Sequence, residues 1–367
     1  MSKAAQLAAL IGSGQAQGDK NLIINGNMAC SQRGVTFTSP SAGAYTLDRF
    51  KYNENFGAAC TITQSTDVPS SDGFLNSMKI DITTAATPAS AEEFKIDYGV
   101  EGQDFSRAGF GTSGAQALTL SFWVKSNVTG VYRVNFFNLN GTGNKIVGGT
   151  YTINTASTWE KKTIAIPADT AQATYLTNAG GFRIEFYLAS GPDRTSGSLP
   201  TDWIAYDATR RAAGHAVNLA SSVSNEWYIT GIQLEVGDVA TPFEHESFAE
   251  TLQKCQRYYF DTASTVNGKS SPTINGGFIF KAFNGNEAAG YNAFPVTMRA
   301  VPTITCNDNA GTQGKMHRYA HSDVGSNITF SNISCSGITA CSESGTFSTA
   351  SGGLNIFGGR IRASAEL

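Results

Sequence analysis

The sequence predicts an all-β protein: a jelly-roll β-sandwich, then a second, smaller C-terminal β-sandwich, with a short N-terminal helix and a short helix between the two β regions. Three observations carry this. Charged residues fill only 15% of the 367 positions, against about 25% in an average soluble chain, while 39 glycines and recurrent Ser, Thr and Asn supply turns. Short runs alternate apolar and polar residues at period two, broken by turn residues. The chain is also long enough to bury two cores.

The opening "MSKAAQLAALIGSGQAQGDK" places Ala4, Leu7, Ala8 and Ile11 on one helical stripe, which Gly12 and a small polar run then stop. Its apolar part is short and lacks a cleavage site, so it reads as mature sequence rather than a targeting peptide. A lone helix of this length is marginal in water. Residues 1–20 are therefore expected either to fray or to dock as an anchor through Leu7, Leu10 and Ile11.

Residues 21–246 read as the jelly roll. In "ALTLSFWVKS", Leu118, Leu120, Phe122 and Val124 share one face, so Thr119, Ser121, Trp123 and Lys125 share the other. "FRIEFYL" repeats the arrangement, with Phe182, Ile184, Phe186 and Leu188 inward and Arg183, Glu185 and Tyr187 outward. "VYRVNFF", "KKTIAIP" and "EWYITGIQLEV" are further strands, whereas "NLNGTGN" and "LASGPDRTSG" read as turns.

The connecting helix is expected over 247–260. Ser247 followed three positions later by Glu250 is a capping box, and Phe248, Leu252, Cys255 and Tyr259 recur at helical spacing. Glutamates at its start and Lys254 and Arg257 at its end suit the helix dipole, so the local crowding of charge requires no chemistry. Residues 261–367 return to strand-like runs, "GGFIFKAF", "VPTITC", "SNITFSNISCS" and "GLNIFGGRIRAS", which form the second sandwich.

Several chemistries are disfavoured. Net charge is −3 without a basic run, which argues against nucleic acid, and no segment approaches a membrane span. Six cysteines include no Cys-x-x-Cys pair, which argues against zinc or thioredoxin-type chemistry; Cys335 and Cys341 are close enough for a hairpin bridge, but small buried thiols are the favoured reading. His245-Glu246 fails as a zinc helix because position 249 is Ala, and His317 and His321 lack a helical stripe. Glu92, Glu93, Asp97, Glu101 and Asp104 supply carboxylates for glycoside hydrolysis, yet solvated surface acids account for them. No catalytic residue and no cofactor is expected; structural calcium remains compatible with the turns, with no spacing that singles out its ligands.

Binding is what remains. Sugars stack on aromatic rings and hydrogen-bond to guanidinium, amide and carboxylate groups. The outward rows Trp123 with Lys125, and Arg183, Glu185 and Tyr187, supply those groups if their strands share a sheet. Trp203 and Tyr206 in "PTDWIAYD" add rings on a loop. The blander alternative places Trp123 under a loop or in a subunit contact.

Three stretches carry a resemblance: "NLIINGNMACSQRG" with "YTLDRF", the run "GIQLEVGDVATPFEHESFAETLQKCQRYY", and "FPVTMRAVPTIT" with a terminal "RASAEL". Together they resemble tail fibre and related host-recognition proteins of bacteriophages and prophages. The resemblance implies a jelly roll like that of carbohydrate-binding modules, a further C-terminal β domain, and a homotrimer held to tail or baseplate proteins by its N-terminus. It implies host-surface polysaccharide as partner and the virion tail as location, after assembly in a host cytoplasm where reduced thiols persist. The chain lacks the long repetitive shaft of larger members, which favours a short fibre or cap. The motif residues around "CQRYY" look like packing between domains. Two other readings stand beside this one: a polysaccharide depolymerase and a purely architectural tail or capsid component.

Overall fold

The computed structural model describes residues 20–141, 143–262, 280–282, 287–307, 313–318, 324–325, 328–343, 356–358 and 360–367. Leu7, Leu10, Ile11 and His321 lie outside the described residues, as does the side chain of His317. The chain forms two compact units. Of the described residues, the first comprises those from Lys20 to Ala29 with Thr36–Tyr45 and Phe50–Glu246; the second comprises those within Cys30–Val35, Thr46–Arg49 and Ser247–Leu367.

The first unit is a jelly-roll sandwich. Its strands are β1 (Thr36–Thr38), β2 (Phe50–Glu54), β3 (Ala59–Ser65), β4 (Ser77–Thr84), β5 (Glu93–Glu101) and β6 (Leu118–Ser126). They continue with β7 (Gly130–Asn138), β8 (Lys145–Ile153), β9 (Glu160–Ile166), β10 (Gly180–Ser190), β11 (Ile204–Ala205) and β12 (Glu226–Val236). One sheet has the order β1-β3-β4-β12-β6-β9 and the other β11-β8-β7-β10-β5-β2, and every pairing is antiparallel. The run "LASGPDRTSG" does not behave as a turn throughout. Its first three residues complete β10, and Pro192–Thr195 forms a one-turn helix, α2, after the similar α1 (Gly102–Phe105).

The predicted inward rows meet in the core. Phe122 of β6 packs edge-on against Phe186 of β10 at 5.4 Å and against Tyr151 of β8 at 5.1 Å, so rings from both sheets interlock. Removing a ring of this kind costs about 3–5 kcal/mol through lost burial and an unfilled cavity. The "NLIINGN" segment is stitched to β12. Asn21 Oδ1 accepts from the Leu234 amide at 3.0 Å, and Gly26 lies so close to β12 that a Cβ there would stand 2.0 Å from the Ile232 carbonyl oxygen.

The second unit holds a three-stranded sheet and a seven-stranded sheet. Its strands are β13 (Tyr259–Asp261), β14 (Phe280–Ala282), β15 (Glu287–Ala293), β16 (Thr303–Asn307) and β17 (Met316–Arg318). They continue with β18 (Val324–Gly325), β19 (Ile328–Ser334), β20 (Gly337–Glu343), β21 (Ile356–Gly358) and β22 (Arg360–Ser364). The orders are β13-β22-β16 and β18-β17-β21-β14-β15-β20-β19. Phe280, Phe294, Met298, Ile338 and Ile361 are buried in its core, and Cys335 and Cys341 are thiols rather than a bridge.

The expected helix is present as α3 (Phe248–Gln256), which belongs to the second unit. Its capping box is formed: Ser247 Oγ accepts from the Glu250 amide at 3.3 Å and the Glu250 carboxylate accepts from the Ser247 amide at 3.0 Å. The apolar stripe is only partly buried. Phe248 is 43% exposed and Tyr259 has passed into β13, because the helix ends at Gln256; Thr251 and Cys255 form the buried face instead.

Candidate functional site

Four of the six expected binding residues, Arg183, Glu185, Tyr187 and Tyr206, gather at one face of the first unit, whereas Trp203 packs at the end of the core and Trp123 lies elsewhere. Arg183, Glu185 and Tyr187 lie on β10, whereas Trp123 lies on β6 in the opposing sheet. Because both strands point their apolar rows into the shared core, the two polar rows face opposite sides of the sandwich. The condition that they share a sheet is therefore not met.

On the β10 side, antiparallel register lines side chains up in rows across the sheet. Asp97, Glu185 and Asn135 are direct neighbours on β5, β10 and β7, and Lys95 stands opposite Tyr187. The segment 191–217 crosses over this face. Its backbone is tied down by Gly191 donating to the Glu92 carbonyl and Ala216 donating to the Val131 carbonyl, each at 2.9 Å. Glu185 and Tyr187, expected to face solvent, point away from the core but are 0% exposed, because this segment covers them.

Beneath this roof Glu185 is a hub. It pairs with Lys95 at 2.6 Å and Arg211 at 2.8 Å through Oε1, while Asn135 at 3.2 Å and Tyr187 at 3.1 Å donate to Oε2. Burial pushes its carboxyl up, but Lys95, Arg211 and Arg183 outweigh that and hold it below the usual range. Asp97 behaves oppositely, because burial raises it and Lys95 only partly opposes the shift. Arg133 completes the layer, lying over Gly148 where a Cβ would come within 1.8 Å of its guanidinium carbon; burial lowers its pKa to about 10. His215 caps it, with Nδ1 accepting from the Arg133 amide at 3.3 Å; burial lowers its pKa to about 4.

At one edge the network reaches water. The Arg183 side chain is 36% exposed, and its guanidinium carbon sits 4.1 Å from the centre of the Phe137 ring. Tyr206, 46% exposed, stacks on that same ring at 5.9 Å and 27°. Strand β11 positions it: Ile204 and Ala205 pair with β8, and the Tyr206 amide donates to the Asn144 carbonyl at 2.9 Å. An open ring and an open planar cation that both contact Phe137 are groups that polar, ring-shaped ligands can use. Trp203 contributes differently. Its indole donates to the Pro167 carbonyl at 2.7 Å and packs on Phe110 and Phe182, so it supports the end of the core.

On the opposite face Trp123 is half-buried beside the β3–β4 loop, donating to Asp72 at 2.7 Å. Trp159 and Tyr228 join it, and neither was singled out in the sequence. Trp159 donates to Asp67 at 3.0 Å, and Lys125 pairs with Asp67 while lying 4.2 Å above the Tyr228 ring. Trp159 stands just before β9, and only the pairing of β9 with β6 reveals that it flanks Lys125. His245 is likewise structural within the first unit: its Nε2 is 2.7 Å from the Asp72 carbonyl oxygen, and its ring packs on Phe74 and Phe243.

No family model and no curated protein matches the chain. Among solved structures it is similar to the enzymatically active domain of bacteriophage CBA120 tailspike protein 4, at 14% identity and TM-score 0.31, over 54% of this chain and 21% of that one. It is also similar to the family 11 carbohydrate-binding module of Clostridium thermocellum in complex with a β-1,3-1,4-mixed-linked tetrasaccharide, at 12% identity and TM-score 0.28, over 57% and 99% of the two chains. A third likeness is to the xylan-binding domain CBM22-2 of Paenibacillus barcinonensis Xyn10C, at 11% identity and TM-score 0.28, over 55% and 98%. At these TM-scores the likenesses carry no weight for function; the residues described above do.

Proposed function

We propose that the protein is a non-enzymatic host-recognition component of a phage tail that contacts bacterial surface polysaccharide. The observation that carries the reading is the pair Arg183 and Tyr206, both open to solvent and both resting on Phe137, on a rigid sheet face. A ring and a forked cation each held against one shared ring cost little entropy when a sugar engages them. The resemblance of "QLEVG", "TPFEH" and "CQRYY" to tail fibre proteins supports the phage setting, the N-terminal attachment and the homotrimer. Adsorption of the purified chain to cells, in competition with intact virions, tests the reading against a purely architectural role.

A depolymerase reading has one observation in its favour: Asp97 and Glu185 are adjacent carboxyls whose pKa values are pushed apart, the pattern of an acid and a nucleophile. Against it, Glu185 is fully buried and both its oxygens are taken by cations and donors, which leaves no path for a sugar to reach it. Incubation with polysaccharide separates the two readings, since only hydrolysis releases reducing ends.

A further inference from the structure

We propose that Cys30, Asp48 and Cys255 form a structural metal site in the second unit, suited to a borderline divalent cation and to Zn2+ first. The three donor atoms lie within 4.8 Å of one another, although they come from the segment before β1, the residues before β2 and the last turn of α3. All three are buried: Cys30 is 0%, Asp48 1% and Cys255 1% exposed. Tetrahedral zinc holds sulfur at about 2.3 Å and carboxylate oxygen at about 2.0–2.2 Å, which sets neighbouring donors roughly 3.3–3.8 Å apart. Cys30 Sγ is 3.1 Å from Asp48 Oδ2, just inside that spacing, and the three donor atoms stay within 4.8 Å, so shifts of about an ångström or less reach it.

The surroundings fit such a centre. Gln32 holds the carboxylate in place through its amide N–H at 3.1 Å and its Nε2 at 2.7 Å, the outer support that metal-bound carboxylates use. Gln32 itself is 0% exposed, and its Oε1 is buried without a hydrogen-bond partner beside this carboxylate, an unmet polar atom at the edge of the donor set. Two thiolates and a carboxylate exceed the charge of Zn2+ by one, and Arg33 Nη1, 3.5 Å from Asp48 Oδ1, offsets the remainder. On binding, two S–Zn bonds form, the two thiol protons pass to solvent, and no electron is transferred. Complete burial excludes water from the coordination sphere, which makes the centre structural rather than catalytic.

The test uses the full-length chain made in zinc-supplemented medium and purified under reducing conditions without chelator. The expected result is about one zinc per chain by elemental analysis, lost in Cys30→Ser and in Cys255→Ser but kept in Cys335→Ser. A chelator should then lower the melting temperature of the wild type. Because the serine variants are core substitutions that can fail to fold, the folded wild type is also stripped and titrated with Co2+, where a thiolate-to-cobalt absorption band is expected. A folded, reduced wild type that carries no zinc and gives no cobalt–thiolate band overturns the proposal. So does a Cys30–Cys255 disulfide in metal-free protein as purified.

Discussion

Asp97 and Glu185 are direct cross-strand partners on β5 and β10, yet burial raises the pKa of one while neighbouring cations lower that of the other. The difference lies in who reaches them. Glu185 has Lys95 and Arg211 on one oxygen, whereas Asp97 Oδ1 is buried without a hydrogen-bond partner. Replacing Glu185 by Ala removes one carboxylate from two buried cations that keep Glu93, at 2.9 Å from Lys95 and 3.3 Å from Arg211, so Glu185→Ala should lose about 2–3 kcal/mol in denaturant unfolding. A loss below about 1 kcal/mol would show that the roofed network is open to water after all.

Tyr206 and Arg183 should separate binding from folding. Both are partly exposed and sit above Phe137 rather than within the core, so Tyr206→Ala and Arg183→Ala should each change stability by about 1 kcal/mol or less. Each should weaken adsorption to cells about tenfold, the scale of one lost ring or guanidinium contact. Trp123→Ala, on the other face, should leave binding at the Arg183 side intact. Melting curves and adsorption assays on the three variants check this together.

Acid should weaken the first unit through His215. Its folded pKa, about 4, lies below the ordinary 6.5, so the folded state favours the neutral ring. That contribution is full above pH 6.5 and is lost as pH falls through 4, amounting to at most about 3 kcal/mol. His215→Gln should flatten the stability profile across that window. An unchanged slope would mean that the ring takes up its proton in place.

The strand rows and the capped helix were legible because their signals are local: alternation fixes which side chains share a face, and Ser247 with Glu250 are three positions apart. Long-range coverage was not. Nothing within "FRIEFYL" announces that residues 191–217 cross over Glu185 and Tyr187, nor that β9 delivers Trp159 beside Lys125. The motif stretches show the same limit. "CSQRG", "LDRF", "CQRYY" and "ASAEL" meet in the second unit, where Glu366 accepts from Arg33 at 3.0 Å and from Arg49 at 2.5 Å. Those two guanidinium groups lie 3.5 Å from the rings of Tyr259 and Tyr258 respectively. Sequence distance hid one polar cluster behind four separate motifs.

That cluster predicts a C-terminal dependence. Arg49 is 1% exposed and its Glu366 partner 5%, so Glu366→Ala takes a carboxylate away from a buried guanidinium. The second unit should lose about 3 kcal/mol, while Glu366→Gln, which keeps the acceptor oxygen, should lose less. Unfolding followed by hydrogen exchange at β22 reads the difference between the two variants.

The most direct measurement is binding of the folded full-length chain to an array of bacterial surface polysaccharides, with wild type and the Arg183→Ala/Tyr206→Ala double variant compared on the same surfaces. The account predicts saturable wild-type binding to at least one polysaccharide, lost in the double variant without loss of fold and without release of reducing ends. Binding that survives the double substitution unchanged, or that is accompanied by cleavage, would contradict it.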